Sequence, residues 1–243
     1  MAIWAIILAS WLSWSTPSPT PAPAAYPTPT PNPTPPPPMF VQPDVPALSP
    51  AGENLVIEFE VGGKSGYNPR PEAPDCRYSG ITTGIGYDWS TNSPGAAYRD
   101  WQSSIGDNSA RRLAATHSYT GCKAKDHLAE VRDIITSWQA AAGVFDKIDV
   151  AREWARAQRA LPGFDELRPN CQAALISLGF NRGWSMTGDN RREMRYIRDA
   201  VPHKDYNEIA SQLRKMPRVW SGTSIYKGMY RRRNAEADLV LTP

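Results

Sequence analysis

The first 50 residues of this 243-residue chain contain a single charged side chain, Asp44. The same segment holds 15 of the 24 prolines. Proline lacks the backbone donor that helices and inner strands need, and a segment so poor in charge and rich in proline does not build a packed core. The other 193 residues carry 27 Lys and Arg against 23 Asp and Glu. They are sufficient for one domain with a sizeable core, or for two small lobes.

Cysteine and histidine are also scarce. Each occurs three times, without short spacings: Cys76, Cys122 and Cys171, and His117, His127 and His203. This distribution argues against a metal site or a histidine-based triad, so we expect no metal and no organic cofactor. An exported chain could form at most one internal disulfide. Cys171 lies in a helical apolar pattern, which predicts a buried thiol.

No apolar run in the charge-poor segment reaches the roughly 20 residues of a comfortable transmembrane helix. Residues 2–14, AIWAIILASWLSW, match the apolar region of a signal peptide, although no Lys or Arg precedes them. We expect residues 1–15 to be an export signal or weak anchor, with transient membrane association through residues 2–14. The alternative is an apolar start on a disordered tail. Residues 16–48 predict a proline-rich linker, and residues 49–243 the folded domain.

The charge of the folded part excludes one class of partner. An excess of four positive charges over 193 residues is too mild to indicate nucleic acid. It suits an anionic polymer such as a cell wall or a membrane surface.

The first helix is predicted to begin at Ser49, which precedes a proline, and to end at Gly62. At 100° per residue, Glu60 falls on the apolar side near Val56, and Glu58 falls on the opposite side. Burial disfavours the charged form of a carboxylate, which is what a general acid needs at neutral pH. From the helix alone, a helix-end glutamate that bends back to water remains the favoured interpretation of Glu60.

Residues 78–90, YSGITTGIGYDWS, alternate in polarity and predict a strand with glycine bends. Thr82 and Asp88 share one face by the period of two. With Glu60 they would supply two carboxylates and a water-orienting hydroxyl, the groups of glycoside hydrolysis. A straight strand would separate them by about 20 Å, so the strand must bend at its glycines. The pattern alone favours a structural glycine-rich hairpin, and Asp75 is a rival second carboxylate.

Beyond about residue 108 the apolar residues recur at helical spacing. Leu128, Val131, Ile135 and Trp138 predict one helix, and residues 171–180 are apolar nearly all round, which predicts a central buried helix. A short strand-bearing segment followed by a helical bundle indicates an α+β protein of two lobes.

Five segments together resemble the lysozyme-like muramidase family, which includes T-even-type phage lysozymes and pesticin. They are FEVGG at 59–63, SGITTGIGYD at 79–88, CQAALISLGFNRG at 171–183, IASQLRKMPRVW at 209–220 and RRRNAEADL at 231–239. The resemblance spans roughly residues 53–241, and the hairpin is its most specific part. It implies a lysozyme-like fold in which a small β-hairpin lobe and a larger helical lobe flank a cleft.

The resemblance implies a catalytic triplet of Glu, Thr and Asp. Glu60 matches the acid at the end of the first helix, and Thr82 matches the hairpin threonine. Asp88 matches the pesticin-type aspartate six residues after that threonine, and we favour it. Asp75 lies near the T-even position before the threonine. Asn181, at the end of the central helix, is expected to bind substrate in the cleft.

The implied activity is hydrolysis of the β-1,4 bond between N-acetylmuramic acid and N-acetylglucosamine in peptidoglycan. Glu60 would protonate the leaving oxygen. Asp88 would stabilise positive charge or activate a water held by Thr82. The T-even type inverts, which implies a carboxylate separation of roughly 6.5–9.5 Å.

The expected protein is an exported, wall-lytic or endolysin-like monomer that acts in the periplasm or outside the cell. Its partners would be peptidoglycan glycan strands. One alternative keeps the chemistry on another amino-sugar polymer, such as chitin or chitosan. Another is an inactive wall-binding module on a proline-rich stalk.

Two basic stretches have two interpretations each. One lies between Arg182 and Arg198, and the other is residues 231–233. Either they attract the anionic wall, or they are solvated helix faces paired with Asp189, Glu193 and Asp199.

We predict that residues 1–40 are dispensable for catalysis and needed for delivery. A chain that begins near residue 45 should be soluble and as active on purified walls as the full chain. In bacteria it should stay in the cytoplasm, whereas the full chain should reach the periplasm. Cell fractionation of both forms checks this, and equal cytoplasmic amounts would contradict it.

Overall fold

The computed structural model describes residues 46–74 and 76–243. The expected export segment, nearly all of the linker and Asp75 lie outside the described residues. Within the described part, no helix is both long enough and apolar enough to cross a membrane.

The described residues form eleven α-helices and one small antiparallel sheet of two strands. The helices are α1 (Pro50–Val61), α2 (Gly63–Gly66), α3 (Pro94–Ile105), α4 (Asp107–Ala115), α5 (Cys122–His127), α6 (Trp138–Val144), α7 (Val150–Ala160), α8 (Pro169–Arg182), α9 (Arg192–Ala200), α10 (Tyr206–Lys215) and α11 (Tyr226–Leu241). The strands are β1 (Thr82–Thr83) and β2 (Tyr87–Asp88). The protein is thus mostly helical with a small sheet, in loose agreement with the α+β expectation.

Helix α1 confirms the predicted start and end. The Ser49 hydroxyl accepts a hydrogen bond from the Gly52 amide at 3.1 Å, and a proline occupies the first helical position. Gly62 ends the helix in the left-handed conformation, with φ of 72°. Val56 is buried, whereas Glu58 is exposed. The predicted apolar face is therefore the one that packs inward.

The glycine-rich segment is a hairpin and not one bent strand. Thr83 pairs with Tyr87, and the three residues between them reverse the chain. Gly84 and Gly86 have φ of 63° and 75°, a region that glycine enters without steric cost. The predicted alternation is confirmed, because every second residue from Ile81 to Trp89 is buried. The glycine-rich hairpin that the pattern favoured is thus confirmed, whereas the single strand bent at its glycines was wrong.

The prediction of one helix through Leu128 and Trp138 was wrong. The chain leaves α5 at His127, and α6 begins only at Trp138. The Ser137 hydroxyl accepts from the Ala140 amide at 3.1 Å and caps α6. Ile135, predicted to be apolar core, is 53% exposed. The capping serine between the apolar positions was the signal against a continuous helix.

Helix α3 precedes residue 108, near which the sequence patterns predicted helices to start and where α4 does begin. Helix α3 opens as α1 does: the Ser93 hydroxyl accepts from the Ala96 amide, and Pro94 is the first helical residue. The signal that identified α1 was therefore present here too, and it was overlooked.

The core has three hydrophobic clusters. The largest surrounds α8, which is buried from Cys171 to Gly179 and packs against α1, α7 and α11. The second contains the aromatic rings of Tyr87, Trp89 and Trp101, in which Tyr87 packs edge-to-face on both indoles. The third includes residues of α1, the hairpin turn and α6.

Two of the three cysteines form a disulfide, Cys76–Cys122, which joins the segment before the hairpin to α5. Cys171 is a buried free thiol, as predicted. Burial raises its pKa to about 12, so the unreactive thiol form is favoured.

Close packing of α1 on α8 predicts a stability effect at Gly52. A Cβ atom there would lie 2.0 Å from Cβ of Ala173. Gly52→Ala should therefore lower the free energy of unfolding by about 1–3 kcal/mol. In Gly143→Ala, the added methyl group meets nothing within 4 Å. This variant should raise the free energy of unfolding by about 0.5–1 kcal/mol, because alanine is more stable than glycine within a helix. Urea denaturation measures the free energy of unfolding of both variants, and equal changes in the two would contradict the prediction.

Candidate active site

A polar cavity of about 480 Å³ lies between the end of α1 and the hairpin. Its lining includes the side chains of Glu60, Asn68, Arg70, Glu72, Thr82 and Asp88. The three residues predicted as a catalytic triplet thus line one cavity. Their positions come from two separate elements, helix α1 and the hairpin.

The hairpin brings Thr82 and Asp88 side by side. The two residues are direct partners in the antiparallel ladder, and partners of this kind project from the same face. Their predicted shared face is confirmed, and the expected separation of a straight strand does not apply. The tight turn brings Thr82 and Asp88 close together, which a bend in the strand was expected to do.

Glu60 reaches the hairpin turn. A Cβ atom added to Gly86 would lie 3.2 Å from Oε2 of Glu60, so the turn approaches the carboxyl group closely and a side chain there would crowd it. The side chain of Glu60 is 21% exposed, and it opens to the cavity. It does not bend back to bulk water, which was the competing interpretation.

Asp88 is held rigidly by donors from both sides of the hairpin. Its Oδ2 accepts from the Gly80 amide at 3.0 Å. Its Oδ1 accepts from the amide and the hydroxyl of Ser90, at 2.8 and 2.7 Å. Each carboxylate oxygen has about two acceptor positions, so Oδ2 keeps one for a ligand or water.

Thr82 has its hydroxyl proton engaged. The hydroxyl donates to the backbone oxygen of Glu72 at 3.3 Å, and the backbones of these residues also pair. The lone pairs of Thr82 Oγ1 remain available in the cavity as an acceptor.

A buried arginine from α11 fixes the position of Glu60. Arg232, only 3% exposed, donates from its Nη2 to Oε1 of Glu60 at 2.8 Å. The same nitrogen donates to the backbone oxygen of Ser177 at 2.9 Å. Residues 60 and 232 are far apart in sequence, so local pattern gave no indication of this pair.

Behind Arg232 lies a fully buried ion cluster. Glu236, 0% exposed, accepts at Oε1 from Arg232, from Arg233 at 2.7 Å and from the Ser177 hydroxyl at 2.7 Å. Burial raises the pKa of Glu236, against the opposing effect of the two arginines. Burial likewise lowers the pKa of Arg233 to about 10.

Both interpretations of residues 231–233 were therefore wrong for two of the three arginines. Arg232 and Arg233 neither face the solvent nor attract an external polymer; only Arg231 is exposed. The overlooked signal is spacing, because Arg232, Glu236 and Val240 recur every four residues on the buried side of α11.

The basic stretch between Arg182 and Arg198 is largely satisfied within the protein. Arg198 pairs with Asp199 at 2.8 Å, as expected of a solvated face. Arg195 donates to two backbone oxygens, those of residues 186 and 188. Glu193 is buried and pairs mainly with Arg218, a partner that the sequence did not indicate.

Asn181 lies exposed in the last turn of α8. It is absent from the lining of the cavity that contains Glu60. Its predicted contact with substrate stays a prediction. Its chain neighbour Phe180 lines a second cavity instead.

This second cavity, of about 290 Å³, adjoins the first. Gly86 and Asp88 line both cavities. The new cavity adds residues of α7 and the residue before it, Asp149, which sequence reasoning did not identify. Asp149 ends the π-helical turn Phe145–Asp149, where the 3.6-residue period is interrupted, so a helical pattern did not find it.

Among residues 46–74 and 76–243, no group of three His, Cys, Asp or Glu side chains is arranged to hold a metal ion. Comparison of the sequence with protein-family models and with curated proteins found no match.

Substitution of Arg232 should lower the stability of the fold, because its charge is buried beside two carboxyl groups. Arg232→Met leaves Glu60 without its cation and Glu236 with only one of two. Removal of one member of a buried pair costs about 3–5 kcal/mol of stability. Arg231→Met, a change at the exposed neighbour, should stay within about 0.5 kcal/mol of the parent. Chemical denaturation compares the two, and a similar loss in both would contradict the assignment.

Proposed function

We propose that the protein is a glycoside hydrolase that cleaves the β-1,4 bond between N-acetylmuramic acid and N-acetylglucosamine in peptidoglycan. The observation that carries the proposal is the convergence of two carboxyl groups and a hydroxyl acceptor, Glu60, Asp88 and Thr82, on one cavity. Glycosidases use two carboxyl groups that flank the scissile bond. The resemblance of the hairpin and helices to lysozyme-like muramidases supports the choice of polymer and a lysozyme-like fold.

Glu60 acts as the general acid. Arg232 donates to Oε1, so Oε2, the oxygen beside Gly86, is the one that carries the transferable proton when Glu60 is in its acid form. That oxygen protonates the leaving glycosidic oxygen as the bond breaks. Arg232 is a positioning residue, because it contacts the acid and restricts its rotation.

Asp88 and Thr82 act on the opposite side of the bond. A water that donates one proton to Asp88 Oδ2 and the other to Thr82 Oγ1 uses the acceptor positions left free in the hairpin. Asp88 removes the proton as the water attacks, or stabilises the positive charge that develops on the sugar. The backbone and Ser90 donors keep Asp88 in place for either role.

Purified peptidoglycan separates this function from its alternatives. A muramidase lowers wall turbidity and releases fragments with new reducing ends at N-acetylmuramic acid, which mass analysis identifies. A chitinase or chitosanase releases fragments from those polymers and leaves the wall intact. An inactive binding module sediments with the wall and releases nothing.

We predict that Glu60→Gln keeps the fold and nearly abolishes wall hydrolysis. The substitution is isosteric and removes the acid that faces the cavity, at a cost of about 10²-fold or more. Glu58→Gln, two residues earlier on the exposed face, should be close to neutral. Turbidity assays with thermal melts compare both. Loss of activity in the Glu58 variant alone would reject the assignment.

We predict that Asp88→Asn lowers activity much more than Asp75→Asn. Asp88 lines the cavity and pairs across the hairpin with Thr82. Asp75 has only its sequence position near that of the T-even aspartate in its favour. Parallel release of reducing ends measures both variants. The reverse ranking would transfer the second carboxylate to residue 75.

A further inference from the structure

The second cavity contains an acid with no partner. Among the described residues, nothing forms a hydrogen bond or an ion pair with the Asp149 carboxyl group, although the residue is partly buried and lines the cavity. A carboxyl group that lines a cavity beside a candidate active site and has no protein partner is available to a ligand.

The other charges that face this cavity are already paired. Arg152 of α7 contacts Asp100 of α3 at 2.7 Å. Glu153 accepts from Arg156 and, at 2.8 Å, from the indole of Trp184.

The hairpin side of the cavity is also hydrogen-bonded. Tyr87 donates to Asp100 at 2.7 Å. Asp88 is hydrogen-bonded at both oxygens. Asp149 therefore differs from the other acids of this cavity in having no hydrogen-bond or ion-pair partner among the described residues.

These surroundings favour the neutral form of Asp149. Burial raises its pKa to about 8, and the charges of Asp100 and Glu153 act in the same direction. Those of Arg152 and Arg156 oppose them. A neutral carboxyl group is a hydrogen-bond donor. With Asp149 neutral, each arginine of the cavity is paired with one acid, and Asp88 is the remaining charged acid in the lining. Such a site fits an uncharged polar group better than an ion.

We propose that Asp149 is a saccharide-contacting residue, whose carboxyl group donates a hydrogen bond to an acceptor oxygen of the sugar in the second cavity. The acceptor is of the kind that an N-acetyl group or a sugar hydroxyl provides. The assignment rests on the proposed glycan substrate, and it extends that substrate past the scissile bond, from the cavity of Glu60 into the cavity of Asp149. The two cavities meet at Gly86 and Asp88, so one chain of sugars can occupy both.

Binding in a non-hydrolysing background tests this contact. The probe is a soluble tetrasaccharide of alternating N-acetylglucosamine and N-acetylmuramic acid, measured by calorimetry with Glu60→Gln protein at pH 6 and pH 9. The parent should bind about tenfold more weakly at pH 9, because Asp149 is then mostly ionised. Asp149→Asn retains an N–H donor, so it should bind within about twofold of the parent at pH 6 and show no loss at pH 9.

A variant without a donor and a matched acid complete the experiment. Asp149→Leu should bind about tenfold more weakly at both pH values, the loss of roughly one hydrogen bond. Asp146→Asn changes an acid of the same turn whose pKa burial also raises. Asp146 lines a different cavity, with Leu48 and Lys147, so this variant should match the parent throughout.

Thermal melts separate binding from folding. The folded-state pKa of Asp149 lies above the unfolded value, so the protonated form stabilises the fold and this contribution is lost as pH rises towards 8. Asp149→Asn should therefore match the parent near pH 4 and melt at a higher temperature at pH 9. A variant that melts higher at pH 9 and still binds more weakly there than at pH 6 overturns the proposal.

The results also distinguish this contact from the hydrolase function. Parent-like binding by Asp149→Leu overturns the saccharide contact, whatever the activity of the wild-type chain. Glycan that binds with the expected pH dependence and is not cleaved by the wild-type chain rejects the hydrolase and supports the contact. Absence of glycan binding by the parent overturns both.

Discussion

The ion pair of Glu60 and Arg232 is the interaction on which the rest of the site depends. It joins the end of α1 to α11, and Arg232 also contacts the backbone of Ser177 in α8. Removing such charges from water is expensive, and the cost is offset only when every partner is in place. Glu236 accepts from both Arg232 and Arg233 behind it, although its Oε2 and Nε of Arg233 have no hydrogen-bond partner among the described residues. The position of the acid is thus fixed by three helices rather than by the flexible end of one.

The hairpin depends on a second constraint, which is the absence of side chains in its turn. Gly86 leaves room for the Glu60 carboxyl group, and a Cβ atom at Gly84 would lie 2.7 Å from the ring of Trp101. One face of the turn therefore packs on the aromatic cluster while the other meets the acid. A Cβ atom at Gly84 would require the Trp101 ring to shift, and one at Gly86 would crowd the Glu60 carboxyl group. The glycines position the site through close approach as well as through their backbone conformation.

The sequence predicted the parts of the site that depend on interactions between residues near each other in the chain. Capping by Ser49 and the helical period placed Glu60 inward and Glu58 outward, and alternation separated Thr82 and Asp88 from the buried residues. The sequence favoured a hairpin but did not predict which residues form its turn, because two-residue periodicity carries no information on where a strand reverses. Nor did it predict the partner of Glu60, since a pair formed across 172 positions of sequence leaves no local pattern.

Three carboxyl groups of the two cavities differ in what surrounds them, and this difference allows distinct roles. Glu60 is held by a cation at one oxygen and leaves the other facing the cavity. Asp88 is held by amide and hydroxyl donors, which suit a carboxylate that accepts a proton or faces positive charge. Asp149 accepts a hydrogen bond from neither a cation nor an amide or hydroxyl donor among the described residues, and burial disfavours its charged form. The three carboxyl groups thus offer different hydrogen-bonding capacity at different points of the two adjoining cavities. The glycan that we propose as substrate would use this difference, because it carries both donors and acceptors along its length.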